Sequence, residues 1–199
     1  MATKVDIAET SISAPQMTEF FRLAALPGGS HVNHDTFQAY LERRDPFDAG
    51  VRKLLKFIRP VSLPAIGEFV VAEKLCEGET VDGIKVAWLG ENLKTNFLKK
   101  VEKPAPALEL REHELVTPAR DPAIITELGG EEQVETTSGQ FWEFLKTADR
   151  TLWYVRHIRD ATGVLWAVDG HWYDGGLHVE AYALDDPFDW FAGARFLSR

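Results

Sequence analysis

The pattern of apolar and polar positions along the chain changes near residue 60. Before that point, apolar residues recur at the three- and four-residue spacing of amphipathic helices, beginning with the stripe that contains Met17. We therefore predict a helical unit over residues 13–59. A polar stretch without a period precedes it, and residues 1–12 are expected to form a flexible tail.

The last helix of this unit is predicted over residues 46–59. Asp45 is placed as its N-cap, Pro46 occupies the favoured first helical position, and Pro60 stops the helix. The apolar side chains of this segment form the stripe expected on a buried face: Phe47, Val51, Leu54, Leu55 and Ile58.

From residue 60 to the end of the chain, shorter apolar segments alternate with turn residues, which is typical of strands with helices between them. The predicted strands cover residues 68–75, 84–89, 108–116, 152–158 and 195–198, in addition to a hairpin near the C-terminus. The predicted helices cover residues 91–100 and the segments that follow Asp121 and Thr137, where Gln140 completes a capping box.

These elements predict an α+β fold. An N-terminal helical unit packs with a mainly antiparallel sheet, which ends in a C-terminal meander and carries two or three further helices. We place an α+β domain over residues 60–199; the alternative is one continuous domain over residues 13–199.

The segment from Val164 to Leu184 predicts a β-hairpin. Asp174-Gly175-Gly176 has turn chemistry and separates two runs in which polar and apolar residues alternate. A two-residue loop at Asp174-Gly175 places His171 opposite His178, and Asp169 opposite Glu180. The alternation puts these four side chains on one face and the apolar side chains of both arms on the other.

The polar face of this hairpin is the candidate site. Cross-strand Cβ atoms lie about 4.5–5.5 Å apart, so two imidazoles and a carboxylate could share one ion. Such a set suits zinc or non-haem iron. The candidate ligands of a divalent metal are therefore Asp169, His171, His178 and Glu180.

A like-charged pair also characterises this face. Asp169 opposite Glu180 is destabilising unless a positive group intervenes, such as a metal, a protonated histidine or Arg156 of the neighbouring strand. The alternative interpretation is that these residues form the solvated face of an amphipathic hairpin.

Composition excludes several classes of protein. A single cysteine, Cys76, excludes an internal disulfide and any multi-cysteine metal site. The N-terminus lacks the apolar run of a signal peptide, and no segment approaches the roughly 18 apolar residues of a membrane span. We expect a cytoplasmic protein that does not bind membranes.

The charge distribution argues against broad binding of nucleic acids. The chain carries a net charge of −9, whereas nucleic-acid affinity comes mainly from lysine and arginine contacts to phosphates. The charge is uneven, because residues 1–60 carry +1 and the remaining 139 residues carry −10. The basic side chains near the end of the helix over residues 46–59 could still contact nucleic acid: Arg52, Lys53, Lys56 and Arg59.

Two passages carry a resemblance to known sequences. They are ELGGEEQVETT at residues 127–137 and DPFDWFAGARFLSR at residues 186–199. With the tryptophan-bearing hairpin between them, they resemble a family of uncharacterised bacterial proteins, over roughly the last two thirds of the chain. The resemblance implies an intracellular bacterial protein and carries over no activity, ligand or catalytic residue.

The sequence favours a non-catalytic binding protein as its leading functional hypothesis. No nucleophile elbow or other specific catalytic motif occurs, and core-forming residues are plentiful. The sheet face or the C-terminal aromatic residues would engage a protein or a small ligand. The alternative is a metal-dependent enzyme that uses the hairpin cluster to activate water.

Overall fold

The computed structural model describes residues 53–199, in which eleven strands and five helices form. The predicted flexible tail and the predicted helices before residue 53 lie outside the described residues. The strands are β1 Leu55–Leu63, β2 Phe69–Val70, β3 Thr80–Val81, β4 Ile84–Leu89, β5 Val101–Glu102, β6 Leu108–Leu115, β7 Glu135–Thr136, β8 Tyr154–Arg159, β9 Leu165–Tyr173, β10 Gly176–Ala183 and β11 Arg195–Ser198. The helices are α1 Val71–Lys74, α2 Glu91–Asn96, α3 Asp121–Glu127, α4 Glu131–Val134 and α5 Ser138–Leu145.

Nine of the strands form one sheet. Its order is β1-β6-β11-β8-β9-β10-β4-β3, with β7 beside β8, and β2 pairs separately with β5. Most pairs are antiparallel, and three are parallel: β8 with β11, β8 with β7, and β10 with β4. The prediction of a mixed α and β fold with a mainly antiparallel sheet is therefore confirmed, and so is the meander β8-β9-β10.

The prediction of a helix through residue 59 is wrong for its last turn. Leu55–Leu63 is strand β1, which pairs with β6 at the edge of the sheet. Proline is tolerated in an edge strand, and Pro60 lies within this one rather than ending a helix. Leu55, Val61 and Leu63 face the core and supply the burial that a helical stripe was expected to provide.

The basic residues of this segment are placed differently as a result. Lys53, Lys56 and Arg59 do not share the face of a helix, because the chain is extended there. The Nε atom of Arg59 donates to the buried carboxylate of Glu112 at 2.7 Å. The geometry on which the nucleic-acid hypothesis depended is therefore absent from residues 53–59.

A second element also differs from its prediction. Residues 68–75 were expected to form one strand, but only Phe69–Val70 is extended and Val71–Lys74 is a helical turn. Val71 and Leu75 are both buried and lie four residues apart, which is the spacing of one helix face. The apolar run was too short for its period to decide between the two structures.

Helix α5 covers one face of the sheet, which we call the α5 face. Its N-terminus has the predicted capping box, in which Thr137 accepts from the Gln140 backbone and Gln140 accepts from the Thr137 backbone. Below it, Gly170 of β9 allows close approach, because a Cβ there would lie 2.8 Å from the Phe141 ring. The tight contact anchors the hairpin on its apolar side.

The opposite face of the sheet, which we call the α3 face, has a smaller core. Helix α3 and the segment 184–194 pack there against Val155, Ala167 and Phe196. Trp190 is buried, whereas its neighbour Phe191 is 44% exposed. Helix α3 and the segment 184–194 therefore cover only part of the α3 face, and the candidate site lies beside the covered part.

Candidate functional site

The hairpin has the predicted register. Asp174 and Gly175 have φ of 49° and 77°, which identifies the two-residue turn that joins β9 and β10. His171 pairs with His178, and Asp169 pairs with Glu180. The structure therefore brings the four predicted side chains to one face, the α3 face.

Four aromatic rings cross the strands on this face and form what we call the aromatic row: Trp153, His171, His178 and Trp88. The Trp153 ring stacks on His171 with centroids 3.6 Å apart and planes at 3°. His171 and His178 are 5.5 Å apart, and His178 and Trp88 are 5.8 Å apart. The row therefore runs from the N-terminal end of β8 across β9 and β10 to β4.

The row is open to solvent at both ends. Trp88 and Trp153 are each 37% exposed, and Tyr173, whose ring lies 5.6 Å from His178, is 68% exposed. Sequence reasoning missed both tryptophans as members of the site. Trp88 occupies an outward position of β4, which is a usable signal, but the parallel pairing of β4 with β10 is non-local and had no sequence signature.

A groove borders the row on the side of the hairpin turn. Its volume is about 560 Å³, and the rings of Trp88, Tyr173 and His178 line it. Lys85 and Asp174 contribute one charge of each sign to its lining. The groove thus combines three rings with one positive and one negative side chain from the described residues.

Asp169 lies on the other side of the row and is fully buried. Its Oδ2 atom lies 3.1 Å from Nδ1 of His171, whereas Oδ1 has no hydrogen-bond partner among the described residues. Burial raises the pKa of Asp169, and the interactions with His171 and with the Glu180 backbone N–H only partly offset that rise. This carboxyl group is therefore desolvated and incompletely paired.

Glu180 is half-buried and leans away from Asp169. Its carboxylate lies against Gly90, which follows β4, so that a Cβ at Gly90 would collide with it. Burial raises the pKa of Glu180, and the charges of Asp169 and Glu91 raise it further. The like-charged pair predicted from the register is present, and its two members point to opposite sides of β10.

The four predicted metal ligands share a face without converging. Within residues 53–199, no group of three or more histidine, cysteine, aspartate or glutamate side chains has an arrangement that could hold a metal ion. The lean of Glu180 toward Gly90 and the contact of Asp169 with His171 Nδ1 explain this. The four predicted ligands therefore do not form a ready-made metal site among the described residues.

Arg156 does not supply the missing positive charge, contrary to the sequence-based suggestion. It pairs with Val168 in the register, which places it on the α5 face. There it is buried over the ring of Phe144, 4.3 Å from the ring centroid. Burial lowers its pKa to about 9.

A second histidine–aspartate pair lies on the same α3 face. Nε2 of His157 is 2.8 Å from Oδ1 of Asp121, and Nε1 of Trp190 donates to Oδ2 of Asp121 at 2.9 Å. All three side chains are buried. Both oxygens of Asp121 are satisfied, so this pair connects α3, β8 and the C-terminal segment as a structural unit.

Comparison of the chain with family models, curated proteins and solved structures finds no match in any of the three. None of the five helices in residues 53–199 has the length and apolar character needed to cross a bilayer. We therefore infer function from the geometry of the aromatic row and its neighbours.

Proposed function

We propose that this protein is a non-catalytic binding module that takes a small ligand on the aromatic row and in the adjoining groove. The observation that carries the proposal is the row itself. Two half-exposed tryptophans, an exposed tyrosine and two histidines lie in one contiguous surface. Contiguous exposed aromatic surface of this kind marks interaction sites in soluble proteins.

The shape of the surface favours a small ligand over a protein partner. A groove of about 560 Å³ is within the range of small-molecule sites, which are mostly apolar with a few polar groups at fixed positions. Lys85, Asp174 and His178 are the polar groups at this groove. A flat protein interface would not need such a concavity.

A fragment screen tests the proposal. The full-length protein, labelled with ¹⁵N, is mixed with a library that contains cations, anions, sugars and nucleosides, and the indole signals of Trp88 and Trp153 are followed by NMR. We expect the hits to shift these signals and to be lost in the Trp88→Ala variant. Hits that map away from the row in the wild type would contradict the proposal.

Phe57 provides a matched control for that screen. It is a half-exposed aromatic residue on β1, at the far edge of the sheet from Trp88. The Phe57→Ala variant removes a comparable exposed ring and should bind the same fragments as the wild type. Loss of binding in both variants would indicate a general effect on the fold.

A metal-dependent enzyme is the second candidate function, and one observation favours it. The contact between His171 Nδ1 and Asp169 leaves Nε2 free, as in metal sites where a carboxylate orients the histidine ligand. Stoichiometric zinc, iron or manganese in the purified protein, lost in the His171→Ala/His178→Ala variant, would support this function. Metal-free protein that folds normally would favour the binding module over the metal-dependent enzyme.

A further inference from the structure

Two carboxylates beside the aromatic row lack a lysine or arginine partner in the described part of the chain. Asp169 has only His171 as an ion-pair partner, and Glu180 forms no ion pair among residues 53–199. The two face each other in the hairpin register, an arrangement that is destabilising without a nearby positive group. This side of the row is therefore a region of negative potential.

The groove on the other side of the row presents ring faces at different inclinations. The planes of Trp88 and His178 are at 33°, and those of Tyr173 and His178 are at 89°. The negative faces of aromatic rings attract a cation within about 6 Å of the centroid. The three rings line the same groove, and ring faces at different inclinations suit a rounded cation with an apolar surface.

We propose that the ligand of this site carries an alkylated ammonium group, which sits among the rings of Trp88, Tyr173 and His178. The negative charges of Glu180 and Asp169 attract it from across the row. This inference rests on the binding function proposed above and specifies its ligand class. Methyl groups on the nitrogen contact the rings, so the cation needs no hydrogen-bond acceptor in the groove.

The charges around the groove distinguish this ligand from other classes. Lys85 and Asp174 oppose one another in its lining, so the net attraction comes from the rings and the two carboxylates. An anionic ligand would meet these carboxylates without a cluster of arginines to hold it, since no arginine of residues 53–199 lines the groove. A metal ion would need convergent ligands, which the described residues do not provide.

Three compounds of one shape and different charge test the inference. Choline is a cation, 3,3-dimethylbutan-1-ol is its neutral carbon isostere, and 3,3-dimethylbutanoate is an anion. Each is titrated into the full-length ¹⁵N-labelled protein at pH 8, with the Trp88 indole signal as the readout. We expect choline to bind at least about tenfold more tightly than the alcohol, and the anion to bind most weakly.

Variants separate the contribution of the rings from that of the charges. In the Trp88 variants, which lack the indole signal, binding is followed through the backbone amide signals of Tyr173 and His178, which line the same groove. Trp88→Ala should weaken choline binding at least about tenfold, whereas Trp88→Phe keeps a ring and should retain part of the affinity. Glu180→Gln should lower the preference for choline over the alcohol and leave the affinity for the alcohol unchanged. Phe57→Ala is the control and should bind all three compounds as the wild type does.

The outcomes distinguish this inference from the proposed function. If choline and the alcohol bind equally at Trp88, the cationic ligand class is wrong and the binding module stands. If none of the three shifts the Trp88 signal, the cationic class is also wrong, and the fragment screen decides separately whether the site binds small ligands. Thermal unfolding of each variant checks that lost binding does not come from lost structure.

Discussion

The two histidine–aspartate pairs on the α3 face contain the same groups but differ in how fully they are hydrogen-bonded. We call Asp121–His157 the complete pair and Asp169–His171 the incomplete pair. In the Asp121–His157 pair, both side chains are buried and Trp190 occupies the second carboxylate oxygen. In the Asp169–His171 pair, the aspartate is equally buried, but its second oxygen has no partner in the described residues.

The difference separates a structural role from the binding role that we propose. A buried carboxylate with both oxygens satisfied holds elements together, because every polar group that lost water has gained a protein partner. A buried carboxylate with one bare oxygen, opposite another carboxylate, costs stability and needs a separate explanation. The incomplete pair borders the exposed aromatic row, where an approaching ligand would meet it.

Loss of the aspartate in the complete pair should have the largest effect on stability. In the Asp121→Ala variant, both buried groups that contact this carboxylate, Nε2 of His157 and Nε1 of Trp190, lose their hydrogen-bond partner. We expect the free energy of unfolding to fall by about 3 kcal/mol, as for other broken buried polar networks. Denaturant unfolding measures the change, and an effect below about 1 kcal/mol would contradict the structural role of this pair.

A substitution on the apolar side of the β9–β10 hairpin should have the next largest effect on stability. Gly170 lies between Asp169 and His171 in sequence but faces Phe141 of α5 at close range. Gly170→Ala should lower the free energy of unfolding by about 1–3 kcal/mol through overpacking. Gly67 is the control, since no atom lies within 4 Å of a Cβ built there. Equal stabilities of the two alanine variants would mean that α5 does not pack tightly on β9.

Replacement of the aspartate in the incomplete pair should change the free energy of unfolding by a smaller amount and in the opposite direction. Asp169→Asn removes a desolvated charge and its repulsion with Glu180, while the amide oxygen can still accept from His171. We expect the free energy of unfolding at pH 8 to rise by about 1 kcal/mol. Destabilisation comparable to that of Asp121→Ala would show that both pairs are structural.

The stabilisation by Asp169→Asn should depend on pH. The pKa of Asp169 is raised in the folded state, so its protonation favours folding below the unfolded pKa of about 3.8, and this contribution is lost as the pH rises through the folded pKa. The two proteins should therefore have similar stability at pH 4 and diverge by up to about 1 kcal/mol at higher pH. The titratable groups around this carboxyl are His171, His178, Glu180 and Tyr182.

Measuring the pH dependence of stability again in the Glu180→Gln background isolates the interaction between Asp169 and Glu180. The divergence should shrink, because the charge of Glu180 no longer opposes the ionisation of Asp169. If the difference in the free energy of unfolding between the wild type and Asp169→Asn is constant from pH 4 to pH 8, the raised pKa of Asp169 is contradicted.

Local features of the fold could be predicted from the sequence. The turn at Asp174-Gly175 defined the hairpin register, because two-residue loops allow one pairing of the arms. The capping box of Thr137 and Gln140 likewise placed the start of α5. In both cases the decisive contacts lie within a few residues of one another.

Non-local features could not be predicted. Strand β1 carries an apolar spacing that also suits a helix, and only its pairing with β6 decides its structure. Trp88 joins the site through the parallel contact of β4 with β10, and β11 inserts between β6 and β8. The burial of Asp169 also depends on tertiary packing, which no local pattern encodes.

We propose that the incomplete pair serves ligand binding at the expense of stability. The most direct test is the dissociation constant of choline for the Asp169→Asn variant and the wild type at pH 8, with both proteins verified as folded. We expect the variant to bind at least about fivefold more weakly, because a buried negative charge near the groove is lost. Unchanged affinity in a folded variant would contradict the claim.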